Sequence, residues 1–310
     1  MRSNQPPALR LQAGQPDSYR RAFSRLASVD HDTAASILRE SRFTFPQLFV
    51  LLPVLEEHRL YQELGGRSLT ACRFIARVLV DEHLQELASV SGDCDDLRET
   101  LRWIVRSGAP FDGLSASYDH VLDAAAAYLI DSFRDDSILL ITAELLFRRH
   151  RAGRFTHDLS WAFFRTGNRD ALALLARYLR GSGRDAAFAK ELLQPPHGSG
   201  HIYMAWFHEN RSFLEFTDES CQYTSNPVPC RVNQLAKYLQ VPIEARGGHL
   251  DVTGKEELQR SFRLLSPLEQ ETLARYSHQL HRKNPRAWER WLLLPPERQL
   301  LAAGKRRRTQ

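Results

Sequence analysis

The chain has 310 residues, 43% hydrophobic and 25% charged, and a formal net charge of +5. This is the make-up of an ordinary globular protein; it excludes a disordered chain, a collagen-like repeat and a small disulfide scaffold. At this length one core stops growing, so one large domain or two smaller ones are both expected.

Residues 1–15 are rich in Gln, Pro and Arg without periodicity and read as a flexible arm. From Pro16 to about Gln194 the pattern is helical. Asp17 is a fitting N-cap for a helix through Ala27, and Asp30 or Asp32 for a second through Glu40. Phe43 to His58 is apolar but contains Pro46 and Pro53, which predicts a lead-in and a helix started or kinked at Pro53. Ser68 to about Ser89 reads as one amphipathic helix. Asp93, Asp95 and Asp96 then supply N-cap chemistry for a helix through Ser107, and Gly108 to Gly113 is a turn by its Gly and Pro content.

Tyr118–Phe133 is apolar nearly all round, with a thin polar stripe at His120, Asp123 and Asp131, and so predicts a central, buried helix. Helical patterns follow at 137–151, 156–165, 170–180 and 185–193. Pairing them as 118–153 and 155–194 gives units suited to a short HEAT-like helical repeat. Internal sequence identity is poor, however, and an irregular bundle accounts for the pattern almost as well. Pro195 to Gly200 combines breakers with small residues and marks a boundary. Beyond it, Ile202–Phe207 and Ser212–Thr217 are short apolar segments compatible with a β-hairpin near 202–217.

The last section is helical and well punctuated. Thr253 with Glu256, and Ser266 with Glu269, have capping-box spacing, and Pro267 takes the first helical position. Asn284-Pro285 starts a helix carrying Trp288, Trp291 and Leu292 on one face, and Pro295-Pro296 ends it. The expected fold is mainly α: a helical array over 16–194, a smaller and mostly helical region over 201–304, and a basic tail over 305–310.

Charge is unevenly placed. From Arg246 onward there are 14 Lys plus Arg against 7 Asp plus Glu, whereas the first 245 residues hold 28 against 30. An anionic partner, nucleic acid included, would therefore meet the C-terminal part, with Arg282, Lys283, Arg286, Arg290, Lys305, Arg306, Arg307 and Arg308 as contacts. Only 5 of the 42 basic residues are Lys, which is most simply a coding bias toward Arg. Trp288 and Trp291 interleave with these cations, but their spacing sets them on the core-facing stripe.

Motifs for chemistry fall short of their requirements. Thr253-Gly254-Lys255 lacks the P-loop spacing and is followed by Glu256. His197, His201 and His208 with Cys221 and Cys230 offer zinc-binding atoms, yet no Cys pair lies two to four residues apart. His278 and His281 share a helix face and read as surface histidines. Glu144 among leucines reads as a solvent-facing partner of Arg148. No catalytic residue, metal ligand or cofactor is assigned.

The four Cys suggest reduced thiols. The N-terminus lacks a signal-peptide core, and the most apolar stretch is broken by Asp and Arg, so a soluble cytoplasmic protein is expected. The leading expectation for function is a non-enzymatic scaffold whose helical array engages another protein. Nucleic-acid or polyanion binding through the C-terminal cations is the alternative, and a metal enzyme is a distant third.

Overall fold

The computed structural model describes residues 16–40, 43–79, 94–194, 200–219, 228–244, 250 and 253–305. Among them the chain is mainly helical, with one two-stranded antiparallel ladder. It forms two compact units, one ending at Thr166 and one beginning at Gly167.

The first unit contains α1 (Pro16–Val29), α2 (His31–Glu40), α3 (Phe45–Glu57), α4 (Gly66–Leu79), α5 (Cys94–Gly108), α6 (Ala116–Asp131), α7 (Leu139–Arg151) and α8 (His157–Phe164). Asp30 caps α2, its carboxylate accepting from the Thr33 amide at 3.0 Å and the Thr33 hydroxyl at 2.6 Å. Thr44 and Gln47 form a capping box on α3, and Pro53 is held inside that helix. The described part of the amphipathic stretch from Ser68 ends at Leu79. As its apolar circumference predicts, α6 is central: it packs on α4, α5 and α8 and buries Tyr118, Val121, Leu122, Ala125, Ala126, Leu129 and Ile130. The Tyr118 ring stacks on Phe45 with centroids 4.9 Å apart, and its hydroxyl donates to the Gly108 carbonyl at 2.9 Å.

Charge is buried in this unit as well as aromatic surface. The Arg149 side chain, 3% exposed, donates from Nε to Asp112 at 2.8 Å and from Nη1 to Asp123 at 2.7 Å. Arg154 joins Asp112 and Asp119, the latter at 2.9 Å. Three carboxylates thus share two guanidiniums. Burial is the main reason that Asp119 and Asp123 hold their protons more tightly than an exposed aspartate does. Asp135, with its side chain 2% exposed, is clasped by Arg98 and Arg102.

The second unit contains α9 (Asp170–Ala176), α10 (Arg184–Leu193), α11 (Gly200–Asn210), β1 (Leu214–Phe216), β2 (Cys230–Val232), α12 (Gln234–Leu239), α13 (Glu256–Arg263), α14 (Pro267–Lys283), α15 (Pro285–Leu292) and α16 (Pro296–Lys305). Of the helices paired as 155–194 by length, α8 belongs to the first unit and α9 and α10 to the second. A short ladder is present, but only its first strand falls within 202–217. β1 pairs with β2 in the register Leu214–Val232, Glu215–Arg231, Phe216–Cys230, and Ile202–Phe207 is part of α11. A six-residue apolar segment carries no period long enough to separate the two states.

Helix α14 organises the C-terminal core. It packs on α12, α15 and α16 around Tyr238, Phe262, Leu273, Ala274, Trp288, Trp291 and Leu292. Its Ser266–Glu269 capping box forms as the spacing predicts. The Thr253–Glu256 box does not: α13 begins at Glu256 behind Lys255, and the Glu256 carboxylate accepts from the Gly254 amide at 3.0 Å. It closes the preceding turn instead of reaching back to a cap.

The junctions α13–α14 and α15–α16 are copies of one corner, 29 residues apart. Leu264-Leu265-Ser266-Pro267 and Leu293-Leu294-Pro295-Pro296 occupy the same positions, followed in each case by Gln (270, 299) and Ala (274, 303). The backbone bonds correspond. The Leu265 amide donates to Phe262 at 3.2 Å and the Leu294 amide to Trp291 at 3.1 Å; the Gln270 amide donates to Ser266 at 2.9 Å and the Gln299 amide to Pro295 at 3.0 Å. Each Gln side chain then ties off the carbonyls at the end of the helix before it.

Candidate polyanion-binding surface

Arg282, Lys283, Arg286 and Arg290 lie on the last turn of α14 and the exposed face of α15. The turn between them is fixed by Asn284, whose extended backbone ends α14 while its side chain accepts from the Ala287 amide at 3.0 Å to cap α15. Pro285 takes the first position of α15, where its missing N–H costs nothing. Cations in the last turn of α14 also complement its negative dipole end. All four side chains are exposed. Among the described residues, none of them is in an ion pair. Glu289 is the one carboxylate on this stretch of α15 and is exposed too.

The tryptophans face the other way. Trp288 donates from its indole to the Ser277 hydroxyl at 2.7 Å, which in turn donates to the Tyr238 carbonyl at 2.5 Å. Trp291 packs edge-on to Tyr238 and tilted against Tyr276. With 9% and 5% exposure neither ring can stack on a base. Neither tryptophan therefore supplies this surface with an aromatic platform.

The helix histidines are partly buried and engaged with neighbouring side chains rather than fully exposed. His278 shares a hydrogen bond with Gln240 at 3.1 Å and meets Phe213 edge-on. Burial, then the nearby Lys237 cation, lowers its affinity for a proton. His281 stands edge-on to Trp288 at 4.8 Å. The period placed both on one face but could not show that His278 meets the end of α12 and His281 meets α15. Lys237 itself is buried and donates to Asn210 at 2.7 Å and Glu209 at 3.2 Å.

Lys305 closes α16, and Arg306, Arg307 and Arg308 lie outside the described residues. So do His197 and Cys221, whereas His201 and His208 are exposed on α11. Among the described residues no group of three His, Cys, Asp or Glu is placed to hold a metal ion. Cys72 and Cys230 are free thiols, and burial pushes each up to about 12. Glu144 is exposed, as expected, but Arg148 donates to the Ala109 carbonyl at 2.5 Å. No described helix is long and apolar enough to cross a membrane.

No protein-family model, no curated protein and no solved structure matches the chain.

Proposed function

We propose that the chain binds an anionic polymer, nucleic acid foremost, through Arg282, Lys283, Arg286 and Arg290, extended by Lys305 to Arg308. The observation that carries this reading is the set of four exposed cations around one helix junction, none neutralised by a described carboxylate. Buried tryptophans make the contact electrostatic: guanidinium and ammonium groups on phosphates, with counterion release as the driving force and little sequence preference. The protein acts in a reducing compartment, the cytoplasm, in keeping with two free thiols.

Titration of labelled single- and double-stranded oligonucleotides at two salt concentrations tests it. Four phosphate contacts give a log–log salt slope of about −3.6 on duplex DNA, and the tail cations steepen it. Arg286→Gln with Arg290→Gln should flatten the slope by about 2, and removal of residues 306–310 by up to about 3. Absence of binding at low salt overturns the proposal.

A second reading, a scaffold for another protein, draws support from Leu264 and Leu293. These equivalent residues of the two corners are 83% and 82% exposed. Single exposed leucines are ordinary, but the same one exposed twice is a feature of the corner. Recovery of a stoichiometric partner that Leu264→Ser with Leu293→Ser abolishes is its expected outcome; capture unaffected by the pair of changes refutes it.

A further inference from the structure

The second unit also contains a cavity of about 400 Å³ lined by Gly167, Asn168, Arg169, Arg211, Ser212 and Glu244, within the range of small-ligand sites. The Arg169 guanidinium is half-buried and, among the described residues, donates to neutral acceptors alone, from Nε to the Leu214 carbonyl at 2.9 Å and from Nη2 to the Ile243 carbonyl at 2.5 Å. The Arg211 cation nearby repels it, and the adjacent Cys230 thiol, kept protonated by burial, brings no compensating charge. A partly desolvated cation beside another cation, with no described carboxylate paired to it, is a costly arrangement unless an anion arrives.

Arg211 is engaged on one side only. Its Nη2 spans the two Asp170 oxygens at 2.8 and 2.9 Å, leaving Nε and Nη1 without a described partner. Two guanidiniums with unused N–H groups line this cavity, and such groups match the planar fork of a carboxylate. Glu244, exposed and without a described ion pair, lines the same cavity and decides the rest of the ligand. With Asp170 included, two positive charges meet two negative ones. A site that sums to zero suits a neutral zwitterion and disfavours a phosphate dianion.

We infer that this cavity binds a small α-amino acid, its carboxylate on Arg169 and Arg211 and its ammonium on Glu244. The two carbonyl bonds of Arg169 hold that guanidinium in place before the ligand enters, which reduces the ordering cost of binding.

The test is calorimetric titration of the full chain with the twenty common L-α-amino acids, succinate and inorganic phosphate. At least one amino acid should bind at one per chain and more tightly than succinate or phosphate. Arg211→Gln should weaken it about tenfold or more, the loss of one charge-assisted hydrogen bond. Glu244→Gln should weaken the amino acid while leaving or improving succinate. Both side chains are exposed, so these variants fold even if Arg169→Gln does not. Arg286→Gln with Arg290→Gln should change nothing here, which separates this site from the polyanion surface. No binding by any amino acid, a preference for phosphate, or affinity unchanged in both the Arg211 and Glu244 variants overturns the assignment.

Discussion

Replacing Gly108 by Ala sets two known effects against each other at one position. Gly108 ends α5 with ordinary helical dihedrals, φ −85° and ψ −38°. Alanine there gains up to about 1 kcal/mol of helix propensity, and less at a helix end than in its middle. Against this, an added Cβ would stand 2.8 Å from Phe45 Cδ1, 3.0 Å from the Tyr118 hydroxyl and 3.2 Å from Leu122 Cδ1. None of the three can retreat cheaply. Phe45 is wholly buried between Tyr118, Phe49 and Trp103, and the Tyr118 hydroxyl is anchored on the Gly108 carbonyl itself. Overpacking of this kind costs about 1–3 kcal/mol, so Gly108→Ala should destabilise by about 1–2 kcal/mol net. Gly304→Ala is the internal control: it is helical with nothing within 4 Å of its added Cβ, and should stabilise by a few tenths to about 1 kcal/mol. Urea denaturation followed by circular dichroism reads both. Combining Gly108→Ala with Phe45→Leu should give a double-variant loss about 0.5 kcal/mol or more smaller than the sum of the singles. A stabilised Gly108→Ala protein, or strict additivity with Phe45→Leu, would show that the ring moves freely and that the packing argument is wrong.

Three further outcomes follow from the buried polar groups. Asp135 is raised by burial, but the Arg102 and Ser137 hydrogen bonds outweigh this and hold it at about 2. Its contribution of about 2 kcal/mol is therefore present above pH 4 and lost as the pH falls toward 2; Asp135→Asn should remove that part of the acid sensitivity in urea melts at pH 2.5 and 6. Asp119 and Asp123 are shifted upward and work in the opposite sense, so without Asp135 acid should return some stability. Cys72 and Cys230, in a chain carrying Cys94→Ser and Cys221→Ser, should be silent to a thiol reagent at pH 8 and react fully in denaturant. Gln299, fully buried, donates to the Leu292 and Leu294 carbonyls and accepts from Tyr238; Gln299→Ala should cost about 2–4 kcal/mol, and Gln270→Ala at the partly exposed copy no more than about 1.

What was legible in the sequence was local. The α15 stripe of Trp288, Trp291 and Leu292, the Ser266 capping box and the apolar girth of α6 each depend on residues within one or two turns, where 3.6-residue periodicity applies directly. Charged contacts across tens of residues carry no such signal. Arg149 looked like one of many arginines, yet it reaches Asp112 and Asp123, 37 and 26 positions away. Arg169 directly precedes the helical pattern at 170–180, and nothing in that position signals that it binds the carbonyls of Leu214 and Ile243. The inward turn of His278 depended on α12, whose six residues are too few for a periodic pattern. The 29-residue echo went unseen because its two copies share few identities. The shared Leu-Leu, Pro, Gln and Ala are common residues at helix ends, and it is the matching hydrogen bonds that give their spacing a meaning.

The two copies of the corner differ in how much freedom each retains. At 264–270 the described bonds of the amide side chain go to the end of the preceding helix and the turn after it, so a graft or insertion there disturbs one turn. At 293–299 the corresponding amide also holds Tyr238, whose backbone is tied through Ser277 to Trp288. A change at the second corner is thus felt by three helices. For anyone fusing a tag, splitting the chain or building a library, the first corner is the place to cut and the second the place to leave alone.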